Sequence, residues 1–401
     1  MRILFLSDWA YPCDHRFLEN VYAKKLANDG HEVVWTMRSD GERSNVREEY
    51  WHGCPVYVLP DDDYSPVRTV GKSLFGRLDS HLVLSSIADG RFDIVHVRND
   101  LAMGVAATAV ADRYDVPFCH QISHLKAEGL IRLAGRGHAG RLDAVKGVLG
   151  KRLRRRVASN ADLILPISEA METYLRERGY DGDMVPLLTG ADVSVDPADI
   201  PEEPAREEFA FPDGGLLLYM GTMTPIRELE FLFDVLSEVR KRRDTHLLMA
   251  GGRRMENLAR LKEAARARGV SESVTFTGWI EDDQLLYSVI RAADVGLSPL
   301  PPDEVLRTNA PIKTLEYLTL ETPVVTSATP DQRTVLEGSG GGYAVEYTVD
   351  AFTDAVLGLL EDDAKRRRMG EAGRTYVREN RSFDVLAEQV LDIYDRVVDG
   401  C

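Results

Sequence analysis

Cysteine is scarce in this 401-residue chain: only Cys13, Cys54, Cys119 and Cys401, with no CxxC spacing. That argues against a disulfide framework or a structural zinc site and suits buried or idle thiols in a reducing compartment. Lysine is nearly as sparse, 10 residues against 39 arginines, and acidic side chains outnumber basic ones by 65 to 49. The net charge of −16 repels phosphate over most of the surface and excludes a general nucleic-acid binder. An acidic, arginine-rich, lysine-poor chain fits a salt-rich cytoplasm and a GC-rich genome equally well. No run of 18 apolar residues occurs, so no transmembrane helix is expected. The apolar start, Met1 to Ser7, reaches Asp8 too soon for a signal peptide, which points to the cytoplasm. No GxGxxG fingerprint stands where a nicotinamide dehydrogenase would carry one.

What is present is an alternation of short apolar runs and amphipathic stretches. Residues 3–6, 31–35, 93–97, 117–121 and 163–166 read as strands, with helices over 17–29 and 101–114. Gly30 is placed to stop the first helix. Between Val195 and Gly215 the pattern lapses into Asp, Pro, Glu and Gly, the expected linker. The alternation then restarts, with strands at 216–220, 246–250, 274–276, 295–297 and 323–325. The length suits two domains of roughly 200 residues each. This pattern predicts two α/β, Rossmann-like domains, each a parallel sheet covered by helices, over residues 1–200 and 201–382. A last helix from about Phe383 to Val398, in the closing segment 383–401, is expected to pack back on the first domain.

Open sheets of this kind bind ligands beyond the carboxyl ends of their strands. Gly221-Thr222-Met223-Thr224-Pro225-Ile226-Arg227-Glu228 joins a strand to a helix there. Free N–H groups at the helix start favour an anion, and Arg227 adds a contact for phosphate. The plain alternative is a turn with a solvated arginine. A second loop, Arg307-Thr308-Asn309-Ala310-Pro311-Ile312-Lys313, leads into a helix carrying Glu316. Lys313 and Glu316 share a face, a cation for phosphate beside a carboxylate for ribose hydroxyls, or else an ordinary surface ion pair. In the first half, His96, His120 and His124 stand at strand ends, and Asp14-His15-Arg16 follows the first strand.

From Lys126 to Arg156 the charge reverses, with ten Lys or Arg against Glu128 and Asp143. Val145, Leu149, Leu153 and Val157 recur every four residues, as in an amphipathic helix. The reading is peripheral contact with anionic membrane through 126–156; the alternative is a packed helix with a solvated basic face.

Together these stretches resemble the retaining glycosyltransferases of family 4, with the GT-B fold, over nearly the whole chain. The resemblance rests on the order of Ile3 to Ser7, Gly30-His31-Glu32-Val33, Asp93-Ile94-Val95-His96, Asp162 to Ser168, Val274 to Trp279 and Ala292 to Val295. It implies two domains facing across a cleft and sugar transfer from a nucleotide sugar to a hydroxyl, with retention. A lipid-linked glycan or surface polysaccharide precursor is the acceptor class expected. It further implies that Glu316, as the second glutamate of E-x7-E, binds the donor ribose. Gly221, Thr222, Arg227, Thr308, Asn309 and the stretch Ala310, Pro311, Ile312, Lys313 meet the diphosphate and sugar. Gly278, Trp279 and Ile280 line the base pocket. His124, Arg227 and Lys313 are the catalytic candidates, and Asp14, His15, Arg16 and His96 the acceptor-side ones. The donor, a UDP- or GDP-sugar, is a substrate, and neither a bound cofactor nor a metal is expected. Three departures stand out: Thr308 replaces the first glutamate, Arg227-Glu228 replaces Lys-Gly, and Ala10 to Phe17 replaces a glycine-rich loop. The alternatives are an epimerase of the same fold and a non-catalytic binding subunit.

Overall fold

The computed structural model describes residues 1–39, 46–59, 92–137, 139–252 and 254–400. The chain forms two compact units: Met1–Thr189 with Phe383–Cys401, and Gly190–Ser382.

The first unit runs β1 (Arg2–Tyr11), α1 (Leu18–Leu26, π-type turns), β2 (Glu32–Ser39), β3 (Arg47–Trp51), β4 (Cys54–Leu59) and β5 (Ile94–Arg98). It continues with α2 (Leu101–Tyr114), β6 (Phe118–Ile122), α3 (Lys126–Gly135), α4 (Arg141–Ala158), β7 (Leu163–Pro166) and α5 (Glu169–Glu177). Its described strands lie in the order β3-β4-β2-β1-β5-β6-β7. All neighbours are parallel except β3 and β4, an antiparallel edge hairpin that the apolar pattern does not announce. β1 shows why the sheet is central: Ile3 and Phe5 enter one core, Leu4 and Leu6 another on the opposite face. A strand covered on both faces reads as a continuous apolar run.

The second unit comprises α6 (Glu203–Phe209), β8 (Gly215–Met220), α7 (Phe231–Arg240), β9 (Thr245–Ala250), α8 (Met255–Ala267), β10 (Val274–Gly278) and α9 (Asp283–Ala292). It continues with β11 (Val295–Ser298), α10 (Ile312–Thr319), β12 (Val324–Ser327), α11 (Pro330–Ser339), β13 (Gly342–Val345), α12 (Val349–Leu360) and α13 (Asp363–Asn380). Its sheet is wholly parallel, in the order β10-β9-β8-β11-β12-β13.

α14 (Phe383–Asp399) belongs to the first unit. Leu386, Ala387, Val390, Ile393 and Tyr394 are buried in its core, and Asp384 pairs with Lys25 of α1 at 2.8 Å. The expected linker at 195–215 lies in the second unit. There Pro204 occupies the first turn of α6, and the buried Ala205 donates its N–H to Ser288 Oγ at 3.0 Å. The expected division was at 200/201; the units divide at Thr189/Gly190.

The basic stretch also differs from its expectation. It is two helices, and its four periodic apolar residues do not share one buried face. Val145 and Leu149 are 55% and 38% exposed while Val157 is 1% exposed. The reason is Gly147, whose missing side chain lets the α3 backbone come close: a Cβ there would meet Ala127 O at 2.6 Å. The side turned inward therefore carries Gly147, Arg154, Val157 and Ala158. Arg154 is buried because Glu128 of α3 accepts two of its N–H groups, one at 2.9 Å.

Candidate active site

In the second sheet the strand order reverses between β8 and β11, the switch point where open α/β sheets hold ligands. Three glycines let the adjacent strand ends crowd together there. Gly221 follows β8 with φ +131°, Gly251 follows β9 with φ +116°, and Gly278 ends β10 with φ +71°. Gly221 N–H donates to Ala250 O at 2.9 Å and Gly251 N–H to Gly278 O at 2.8 Å. A Cβ on Gly251 would lie 2.3 Å from Gly221 O, so the pair tolerates no side chain. Gly251 escaped the sequence reading, although a Gly-Gly pair directly after a strand signals it.

α10 is clamped onto this edge from below. Tyr317 lies over Gly296 of β11, where a Cβ would stand 2.5 Å from the ring. Its hydroxyl accepts from Met220 N–H at 2.7 Å and donates to Leu218 O at 3.2 Å. Thr314 and Ser298 both donate to Oε1 of the fully buried Gln332, at 3.1 and 2.6 Å, while Gln332 Nε2 donates to Ser327 O at 2.9 Å. Gln332 carries no chemistry visible in a sequence; its role comes from this network. The α10 N-cap, Pro311, provides no side-chain cap, which leaves first-turn N–H groups available to an anion.

The charged residues gather around that turn. Lys313 Nζ lies over the Tyr219 ring, 3.9 Å from its centroid, and would be 3.1 Å from a Cβ on Gly221. Burial, and then the neighbouring Arg227, hold the Lys313 ammonium well below its ordinary pKa, with Glu316 pulling the other way. Although Lys313 keeps some exposed surface, its charged end is enclosed by Tyr219 and Gly221. Arg227, half-buried, ends a 3-10 turn at Pro225–Arg227. Burial pushes the Tyr219 phenol up to about 12, with Arg227 opposing, and its hydroxyl donates to Thr222 O at 2.9 Å.

The remaining expected donor residues divide by exposure. Thr308 is 1% exposed and its hydroxyl donates to Val305 O at 2.7 Å, which turns its side chain inward. Asn309, Pro311 and Ile312 are half-buried and Ala310 is buried. Trp279 is 47% exposed beside Gly278, and Ile280 packs partly into the core.

In the first unit His124 lies at the carboxyl end of β6, exposed at its edge, with Nδ1 donating to Ser123 O at 2.5 Å. Desolvation by the surrounding protein, then Arg98 and Lys126, push its pKa down to about 4, so the ring is neutral near pH 7. His15 is half-buried; Asp14 is exposed and Arg16 half-buried on the same loop. His96 is a correction. Expected on the acceptor side, it is fully buried, stacked on Phe5, with Tyr394 Oη 2.5 Å from Nδ1 and Gln121 Oε1 3.3 Å from Nε2. A strand-end histidine pointing into the core bonds across to α14 instead of meeting substrate. Arg98, at the end of β5, is 3% exposed and donates to His15 Nε2 at 3.2 Å. Among the described residues no helix is long and apolar enough to cross a membrane.

Residues 20–188 match the family described as Glycosyl transferase 4-like domain, and residues 214–362 the one described as Glycosyl transferases group 1. The chain is 26% identical over 196 residues to Alpha-D-kanosaminyltransferase of Streptomyces kanamyceticus, covering 48% of each chain. It thus spans about half the length of that relative. It is 26% identical over 325 residues to D-inositol 3-phosphate glycosyltransferase of Thermomonospora curvata, covering 76% of this chain and 72% of the other. A GDP-mannose-dependent alpha-(1-6)-phosphatidylinositol monomannoside mannosyltransferase of Mycolicibacterium smegmatis is 30% identical over 241 residues, covering 56% and 60%. Sucrose-phosphate synthase from Thermosynechococcus elongatus shares the fold with a TM-score of 0.75 at 18% identity, covering all of both chains. Anabaena HepE, solved in complex with UDP, does so at 0.70 and 14%, covering 98% and 99%. With two parallel sheets each built around a switch point and both halves matching, this chain belongs to the group 1, family 4 glycosyltransferases of GT-B fold.

Proposed function

We propose that the chain transfers a sugar from a UDP- or GDP-sugar to an acceptor hydroxyl with retention of configuration, its donor held at the β8/β11 edge of the second unit. The observation that carries this reading is Lys313. An ammonium enclosed against Tyr219, beside Arg227 and at an uncapped helix start, is short of negative charge, and a diphosphate supplies it. Glu316, one turn further, accepts the ribose hydroxyls, and Trp279 with Ile280 covers the base. The crowded glycines, carrying no side chains, let the phosphates approach the backbone closely.

In the transfer, the bond from the sugar's anomeric carbon to the diphosphate breaks and its electron pair leaves with the phosphate oxygen. Arg227, Lys313 and the α10 N–H groups stabilise that developing charge, the kind of effect that carries most of a catalytic acceleration. The acceptor oxygen bonds to the same face, and its proton passes to the departing phosphate oxygen. His124, neutral near pH 7, is suited to hydrogen-bond the transferred sugar.

Relatives acting on phosphatidylinositol mannosides favour a lipid-linked acceptor. The surface of α4 agrees: Leu142, Val145, Val148 and Leu149 are 77%, 55%, 45% and 38% exposed. Arg141, Lys146, Arg152, Arg155 and Arg156 are exposed along the same helix of an otherwise acidic protein. Apolar side chains ringed by cations match an anionic bilayer, and we assign this face to the inner surface of the cell membrane.

Thermal stabilisation by nucleotide diphosphates tests the donor reading. Saturation at 100 times the dissociation constant raises stability by about 2.7 kcal/mol. Glu316→Ala should remove the shift and Arg227→Ala the transfer activity. Near-normal binding and turnover in both variants would sink the assignment.

A further inference from the structure

Arg227 carries the leaving-group charge of the proposed transfer, yet no side chain holds it in place. Among the described residues its guanidinium has no hydrogen bond or ion pair. The groups that feel its charge are the Tyr219 phenol and Lys313, and the second is a cation that repels it. A long side chain without partners is placed by the backbone that carries it.

That backbone is unusual. Pro225, Ile226 and Arg227 form a 3-10 turn, with Arg227 N–H donating to Thr224 O at 3.0 Å. Glu228 closes the turn, its N–H donating to Pro225 O at 3.2 Å. To do so Glu228 takes a left-handed conformation, φ +49° and ψ +45°. A residue with a Cβ adopts that conformation at a cost, and keeps it where its surroundings enforce it. Directly beyond it the chain is fixed, since Leu229, Leu232 and Phe233 are buried in the core. Glu228 is therefore the joint between an anchored helix, α7, and the turn that presents Arg227.

What enforces the joint comes from the far edge of the sheet, where β13 ends. α12 shares a core with α7, with Phe352 and Val356 clustered beside Phe233 and Leu236. Tyr347, just before the α12 N-cap Thr348, is thereby brought to the start of α7. Its ring stacks on Phe231, with centroids 4.1 Å apart and planes 19° from parallel. The fully buried Phe352 meets both rings edge-on, 5.1 Å from Phe231 and 6.4 Å from Tyr347. From this seat the Tyr347 hydroxyl donates to Glu228 O, 3.4 Å away and 119 residues earlier in the chain. The same carbonyl accepts from Phe231 N–H at 3.2 Å. Burial, followed by the charges of Glu228 and Asp234, pushes the phenol up, so it stays a donor at neutral pH.

We propose that Tyr347 is a positioning residue for the transfer: it braces the Glu228 joint and so fixes where Arg227 presents its guanidinium to the donor diphosphate. The inference rests on the transfer reading, in which Arg227 stabilises the leaving diphosphate. Tyr347 touches no reacting group and acts through Arg227. The stacked ring makes the brace rigid, and the hydroxyl ties it to the joint.

The test is a double-mutant cycle read in nucleotide affinity. Calorimetry with UDP, GDP, UMP and GMP is run on the full chain for wild type, Arg227→Ala, Tyr347→Phe, Tyr347→Ala and each Tyr347 change combined with Arg227→Ala. Arg227→Ala should weaken the diphosphate that wild type binds by about ten-fold or more, through loss of charge-assisted bonds. Tyr347→Ala should weaken it by about five-fold and Tyr347→Phe by about two-fold, with the matching monophosphate held as in wild type. In the Arg227→Ala background neither Tyr347 change should weaken the diphosphate further, because the group it positions is gone. A purely structural role would lower Tm and affinity alike in both backgrounds. Tyr347→Phe keeps the ring stack, so the cycle can be read from it even where Tyr347→Ala fails to fold. Equal losses of diphosphate affinity in both backgrounds overturn the proposal, as does wild-type affinity in the Tyr347 variants; both leave the transfer reading standing. Undiminished diphosphate affinity in Arg227→Ala, or a wild type that binds neither UDP nor GDP, strikes the transfer reading, and the brace falls with it.

Discussion

The carboxyl edges of the two sheets are built from the same topology but finished differently. At the second, buried polar groups answer one another: Gln332 gathers Ser298, Thr314 and Ser327, and Tyr317 bridges α10 to β8. At the first, Arg98 Nε and Nη1, His15 Nδ1 and Ser123 Oγ have no hydrogen-bond partner among the described residues. The protein shows that it can satisfy a buried arginine, because Arg154, 4% exposed, has Glu128 and the Tyr180 hydroxyl at 3.1 Å. The difference separates an edge tied together by its own side chains from one where several buried donors have no partner among the described residues.

The largest effect expected comes from making Arg154 resemble Arg98. Glu128→Ala strands a buried guanidinium and should destabilise the first unit by about 3–5 kcal/mol in chemical denaturation. A loss under 1 kcal/mol, below about what a surface pair contributes, would show that unpaired arginines are cheap here and dissolve the contrast.

Next comes chemistry at the preorganised edge. Arg227→Ala should slow transfer by about 100-fold or more, since it removes charge stabilisation of the leaving diphosphate. Steady-state kinetics with a labelled nucleotide sugar would show it as a fall in kcat.

A third change attacks the clamp. Gly296→Ala drives a methyl into the Tyr317 ring and should cost about 1–3 kcal/mol while weakening nucleotide binding through displacement of α10. Nucleotide affinity unchanged beside lost stability would mean that the clamp does not position the site.

The smallest effect is a slope with pH. His96 and His120 are fully buried, and burial holds both at about 3 against an ordinary 6.5. Below pH 6.5 the unfolded chain takes up protons that the folded one refuses, so stability should fall as pH drops and level off below about pH 3. Each contributes about 1.4 kcal/mol per pH unit in that window. His120→Phe should flatten the slope seen in denaturation at a series of pH values; an unchanged slope would place the acid sensitivity elsewhere.

Much of the fold was legible because a strand buried on both faces has to be a short apolar run and a helix over a sheet has to be amphipathic. Ile3 to Leu6, Leu216 to Met220 and the helix from Phe383 follow that rule directly. The β3–β4 hairpin escaped because an edge strand such as Arg47–Trp51 alternates with exposed residues and buries little. Of the candidate site, Arg227 was legible as a charge on a loop after a strand, and Lys313 and Glu316 as a pair on the helix that follows another loop. The parts played by Gln332 and Gly251 were not, because each depends on partners brought in from distant strands.

What the amino-acid sequence determined alone is periodicity: two runs of strand and helix, hence two parallel sheets with ligand-binding ends. Only the tertiary structure decided which polar groups are paired. His96 and Arg98 are two residues apart on one strand, and nothing local distinguishes their fates. One faces Tyr394 and Gln121 in the core, and the other donates to His15 at the switch point. Pairing is a property of what surrounds a side chain, and the surroundings of a strand end come from segments far away along the chain.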